Sequence, residues 1–262
     1  MTDPATKYCR LISVIFMVFS LAALSPASDA AAGLLMDAGI QGVYEDNITG
    51  SSADIGKKGD THTVLSASVG GYKNIGRGTF AFLRANAEAY VYRRYSDLDA
   101  AIAGLSAGVY KEFDRIWSAA GSVAIKDETY RDSDRNSTAY VGAFNLRQQV
   151  RPALWIKEGY EFEKNEADCA LFSYNSHLLG IWTGYSVTPQ ITATLGYSYI
   201  RRTYDEPAGY RNLFHTFSAG LTGEIAPKLY LTGNYDRQYI DSTIPAENHT
   251  DNIYTLGLSY SY

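Results

Sequence analysis

Two stretches bring a serine and a histidine close together in the chain, His215-Thr216-Phe217-Ser218 and Asn175-Ser176-His177. A serine–histidine pair is the minimum for nucleophilic acyl transfer, but the hydroxyl must reach the imidazole and a third polar group must orient the base. Both stretches lie in alternating sequence that reads as β-strand, where residues of opposite parity point to opposite faces. Ser218 therefore diverges from His215 and Ser176 from His177, so no catalytic residue is expected. His62, His177, His215 and His249 all fall near strand ends. Asp132-Ser133-Asp134 offers two carboxylates to a divalent cation, yet Arg131 and Arg135 flank it and the spacing of a calcium loop is missing. No metal and no other cofactor is expected.

The chemistry that the sequence does carry is electrostatic. Arg84, Glu88, Glu112, Lys126, Arg147, Lys157, Glu161, Glu163, Glu224 and Asp236 sit at alternating positions in otherwise apolar or small-residue segments, joined by Asp37, Glu45 and Glu128 and by amides and threonines such as Asn86, Asn145, Gln149, Thr194 and Thr216. On the inner face of a closed sheet such groups have two uses. They can line an aqueous path, where rings of charge tune selectivity, or they can pair across the lumen and fill it. The acidic excess favours cations or neutral solutes if a path exists.

Read for period two, the chain divides into twelve segments, at 35–45, 61–72, 79–94, 100–113, 117–130, 138–150, 154–163, 174–187, 191–202, 215–225, 229–240 and 252–262. Short turns at 73–77, 114–115, 151–152, 188–189 and 227–228 alternate with longer polar loops at 47–60, 96–99, 131–137, 165–172, 206–212 and 241–251. Twelve antiparallel strands with both ends on the short-turn side need this count, and membrane barrels show this asymmetry of loops. The segments run to about ten residues or more, the length of a tilted spanning strand, whereas strands of soluble sandwiches run to about 5–6. The fold expected is all-β, a transmembrane antiparallel up-and-down β-barrel of twelve strands, with ten or fourteen as the alternatives. Trp117, Trp155 and Trp182 all lie toward the short turns, where an interfacial girdle would place them. Glu158 falls on the lipid-facing phase beside Ile156 and Tyr160; a local bulge or a shift of phase is the expected reason, with a lateral contact to a partner as the alternative.

Composition agrees. The mean hydropathy of -0.19 is that of a water-soluble chain, because a strand that is half lumen and half lipid averages to neutral. The 22 tyrosines and 23 glycines suit a β protein rich in interfacial aromatics. A net charge of -5 gives no footing for nucleic acid. Lys7 and Arg10 precede the apolar run 11–24 and then Ser25-Pro26-Ala27-Ser28-Asp29-Ala30, a secretory signal peptide in outline, with cleavage after Ala27 or Ala30. Residues 1–30 are thus read as the signal peptide and 31–262 as one barrel domain, with no periplasmic domain or plug expected. Cys169 is the one cysteine of that domain, which excludes an internal disulfide.

The last segment puts Tyr254, Leu256, Leu258, Tyr260 and Tyr262 on one face and Thr255, Gly257, Ser259 and Ser261 on the other. It resembles the C-terminal sorting signal of bacterial outer-membrane β-barrel proteins. Tyr44-Glu45-Asp46-Asn47-Ile48 resembles the opening strand of several small β-barrel porin families. The resemblance implies an outer-membrane location and the barrel fold, with lipid and the barrel-assembly machinery as partners; it implies no substrate, and small solutes enter only as the cargo of a channel reading. Barrels of this size include lipid-modifying enzymes, but nothing here resembles the His-x-Ser-Asn-Gly pattern of the outer-membrane phospholipases. The reading that follows is a small diffusion channel with weak cation preference. A non-conducting structural or surface-interaction barrel is the alternative. If residues 1–30 are a signal peptide, the intact mass of protein purified from the outer membrane corresponds to a chain starting near Ser28 or Ala31. A mass that retains residues 1–24 removes the secretion argument.

Overall fold

Residues that alternate between apolar and polar over ten or more positions can satisfy both halves only as extended strands in a two-faced sheet. The computed structural model describes residues 32–51 and 56–262, and the signal peptide expected at 1–30 lies outside the described residues. The strands are β1 (Ala32–Glu45), β2 (Asp60–Gly76), β3 (Thr79–Tyr92), β4 (Ala100–Glu112), β5 (Trp117–Tyr130), β6 (Ser137–Arg151), β7 (Leu154–Ala167), β8 (Tyr174–Ser186), β9 (Ile191–Tyr204), β10 (Arg211–Ala226), β11 (Leu229–Ser242) and β12 (His249–Ser261). Each pairs antiparallel with its neighbours in sequence, and β12 returns to β1, which closes a twelve-stranded up-and-down barrel. The strand boundaries move from those read in sequence by a few residues. β2 runs on to Gly76 because its turn is the tight pair Arg77 (φ 49°) and Gly78 (φ 69°), both left-handed as a two-residue hairpin requires. β10 starts at Arg211, since Leu213 opposite Arg201 keeps the ladder going beyond the alternating stretch.

Closure is reinforced where β1 meets β12. Tyr262 donates its N–H to the Met36 carbonyl at 2.7 Å and accepts from the Met36 N–H at 3.1 Å. At the other end Asp46 receives both the N–H and the Nδ2 of Asn252, at 2.8 and 2.7 Å. Burial opposes the charge on Asp46, but these hydrogen bonds outweigh it and hold the carboxyl below its usual range. Asn47 is 1 % exposed, and its Nδ2 reaches the carbonyls of Ser51 and Thr250 at 3.0 and 3.1 Å. The Tyr-Glu-Asp-Asn stretch is therefore a staple that ties the first loop to the closing strand.

The longer loops crowd one rim. Among the described residues, 3₁₀ turns lie in these loops at Ser96–Leu98, Ser133–Arg135, Ala170–Phe172 and Pro245–Glu247. Neighbouring loops bond to each other: Asp132 N–H to the Asp97 carbonyl at 3.3 Å, Cys169 N–H to Asp134 at 3.1 Å, and Asp205 N–H to Ser173 at 3.0 Å. Arg135 lies over the Phe172 ring at 4.5 Å. A collar of interlinked loops results, with the free thiol of Cys169 half-buried within it. If this rim faces outward, a membrane-impermeant maleimide labels Cys169 on intact cells. Labelling only after the outer membrane is broken reverses the topology.

Candidate functional site

Directly paired residues share a face, so the register sorts every side chain. One set contains Asp37, Ser68 and Arg84 on β1, β2 and β3. Arg84 forms an ion pair with Asp37 across the intervening strand, and Ser68 Oγ links them, 2.9 Å from Arg84 Nε and 3.2 Å from Asp37 Oδ2. Lys126 on β5 likewise reaches Glu163 on β7 at 3.1 Å, over Ala139 of β6, which is 0 % exposed beneath them. Side chains that skip a strand can meet only where the wall is concave, so this is the inner face. The opposite face carries Leu83, Val123, Leu195 and Leu256, all more than half exposed.

All ten charged positions singled out from the sequence share the parity of this inner face. They gather in four groups. In the short-turn half of β1 and β3 is the Asp37–Ser68–Arg84 cluster, which Ser261 Oγ joins at 2.5 Å from Asp37. Toward the long loops, Tyr174 OH donates to Glu163 at 2.7 Å, Tyr130 OH to Glu128 at 3.1 Å and Tyr90 OH to Glu88 at 2.7 Å. On the β10–β11 wall, Asp236 accepts from Ser218 and, at 2.6 Å, from Asn234, while Gln238 donates to Thr216 at 3.0 Å. Toward the short turns, Glu112 accepts from Tyr110 OH at 3.2 Å and Glu224 from the Lys228 N–H at 2.9 Å. Glu161 lies on β7 between the upper and lower levels, paired in register with Ala143 and Leu178.

Two expectations fail. Trp155 and Trp182 do not belong to an outer girdle: Trp155 pairs with Gln149 and Gly184, and Trp182 with Lys157 and Gly196, all on the inner face. Arg147 stacks on Trp155 at 4.9 Å and Lys157 on Trp182 at 4.7 Å. Glycines make room for the rings, since a Cβ at Gly180 would lie 2.1 Å from the Trp182 ring and one at Gly184 2.2 Å from Trp155. Trp117 alone of the three faces outward. Glu158 is not at a bulge either. Its pairing with Leu146 and Ile181 is unbroken, the irregularity lies at Gln149/Arg151, and the carboxylate is on the outer face.

Arg202 escaped the sequence reading, although the parity of β9 would have found it. It packs over Tyr174 at 4.1 Å and Phe214 at 5.4 Å on the inner wall. The serine–histidine pairs separate: Ser218 turns inward to Asp236, whereas His215 faces outward with its Nδ1 2.8 Å from Tyr197 OH. His177, also outward, meets Tyr160 OH at 2.9 Å. Asp132 accepts from its own loop, at 3.3 Å from Asp134 N, and pairs with Arg135 at 3.5 Å. Of the final strand, Tyr254, Leu256, Leu258 and Tyr260 face outward and Lys228 lies over the Tyr262 ring at 3.4 Å.

No family model and no curated protein matches this sequence. Among solved structures, an outer-membrane channel from Pseudomonas putida F1 is similar with a TM-score of 0.68 at 10 % identity, over 91 % of this chain and 100 % of that one. The NanC porin is similar with a TM-score of 0.54 at 12 % identity, over 85 % and 98 %. The KdgM porin, in complex with disordered oligogalacturonate, gives 0.53 at 11 % identity, over 86 % and 99 %. The chain has the fold of an outer-membrane β-barrel. At such identities the likeness lies in the wall and its closure, and the residues inside the barrel are this chain's own.

Both partners of the Arg84–Asp37 pair are about a third exposed, with side-chain exposures of 36 % and 38 %. Asp37→Asn is expected to lower the urea midpoint of the reconstituted barrel by the equivalent of about 1 kcal/mol. Adding Arg84→Gln should recover part of the loss, because the uncompensated guanidinium is then gone. An unchanged midpoint in the single variant excludes a stabilising role for the pair.

Proposed function

We propose that the chain is an outer-membrane diffusion channel for small solutes, exported by a signal peptide at 1–30, with a weak preference for cations. One observation carries the reading. Of the ten inner charges read from sequence, Glu88, Glu112, Arg147, Lys157, Glu161, Glu224 and Asp236 form no ion pair among the described residues. A lumen sealed by side chains would leave each as an uncompensated charge at a cost of several kcal/mol. Water in the bore removes that cost. Porin and channel folds among the similar structures support the same reading, and twelve strands leave more room than the filled barrels of about eight.

The preference for cations rests on Glu88, Glu112, Glu161, Glu163, Glu224 and Asp236 set against Arg84, Lys126, Arg147 and Lys157. In planar bilayers the purified protein is expected to give small discrete conductance steps with modest cation selectivity. Glu161→Gln should weaken that selectivity without altering the fold, as lumen substitutions tune permeation more than insertion. Glu163→Gln should weaken it further, because it removes an acid and also uncovers Lys126. Silent bilayers from correctly folded protein would overturn the channel in favour of a structural barrel.

A further inference from the structure

The outer wall is not uniformly apolar. Outward positions on β2, β3, β4 and β5 hold no arginine and no histidine. Those on β8, β9, β10 and β11 hold His177, Arg201, Arg211, His215 and Arg237. The register sets them in two groups, at the levels of Leu213 and Phe217 on β10. His177 stands opposite Arg201, and Arg211, opposite Thr203, is diagonal to Arg201. His215 stands between Tyr199 and Tyr239, one diagonal from Arg237. All five occupy the halves of their strands nearest the longer loops.

Cations that face hydrocarbon or its border are costly and normally find a counter-charge. Here no such ion pair forms among the described residues, although Asp241 lies one diagonal from Arg211. Arg201, Arg211 and Arg237 form no ion pair among the described residues, and Asp241, the outward carboxylate on these strands, forms none either. The Nε of Arg211 is buried without a hydrogen-bond partner. Aromatic rings line the same face: Phe162 lies 5.2 Å from the His177 ring, Tyr199 5.2 Å from His215, Phe217 5.0 Å from Tyr197, and Tyr239 beneath Arg237 at 5.1 Å. A belt of rings alone would seat the barrel at the membrane border. Three unpaired guanidinium groups on one side of it call for an anion from outside the chain.

We propose that this face of β8–β11 holds the phosphate-bearing headgroup of a lipid in the leaflet on the long-loop side. Arg201 and Arg211 take one phosphate group, and Arg237, four register steps further along β10, takes a second, each through forked, charge-assisted hydrogen bonds, and the rings pack against the rest of the lipid. The site requires the barrel to sit in a membrane but is independent of whether its lumen conducts.

Native mass spectrometry of the purified full chain in detergent tests the proposal, with diphosphorylated lipid A and the same lipid after dephosphorylation as probes. Wild type is expected to retain the phosphorylated form with about tenfold preference, and an excess of inorganic phosphate should not displace it. Arg201→Gln/Arg211→Gln/Arg237→Gln should abolish the preference. Equal retention of the two lipids by wild type, an unchanged preference in the triple variant, or displacement by inorganic phosphate each overturns the assignment. Should the triple variant not fold, the wild-type comparison and Arg201→Gln alone decide it.

Discussion

Everything in this molecule depends on a backbone rule: a strand that meets hydrocarbon must hand each N–H and C=O to another strand. An open sheet breaks that rule along two edges, so the chain has to come back on itself. The contact of β12 with β1 is thus the condition under which the other ladders are tolerable. That explains why so much side-chain hardware lies there. Asp46, Asn47 and Asn252 spend their hydrogen bonds on fixing the rim of the seam, and Met36 and Tyr262 exchange both backbone bonds at its foot.

Closure also creates the electrostatics of the interior. On a concave wall, residues two strands apart converge, which lets Arg84 find Asp37 and Lys126 find Glu163 over small residues of the strand between them. The same curvature leaves other charges looking into open space. The interior is in this sense a mixture, in which a few charges brace the wall and the rest form no ion pair among the described residues. On the convex side the curvature works the other way, spreading neighbours apart and exposing whatever polar groups sit there.

Period two was enough to make the fold legible. Ala81, Leu83, Ala85, Ala87 and Ala89, against Phe82, Arg84, Asn86 and Glu88, admit one assignment of faces, and a one-residue slip would have turned every charge to the outer face. The same parity put the ten charges on one side. Tryptophan broke the reading, because a large amphipathic ring is at home at a membrane border and equally against a cation in water, and hydropathy does not separate the two. Position along the strand suggested the border for Trp155 and Trp182. Their parity with Lys157 and Gly184 was the better signal. Glu158 misled for the opposite reason: a carboxylate on the outer phase looked like an error of register, and the register was sound.

The tryptophans have one further consequence. Trp182 lies against Gly180 and Gly196, and Trp155 against Gly184, because those three residues have no side chain to keep the indoles away. The indoles recline in hollows left by missing atoms, so the clear width of the barrel at that depth is governed by the barest residues of its wall. One methyl group on a glycine would tip a nine-membered ring system upright into the passage, narrowing it by far more than the methyl's own size. The free width at this end of the barrel is thus set by the least conspicuous residues in it, and it can change with every charge left in place.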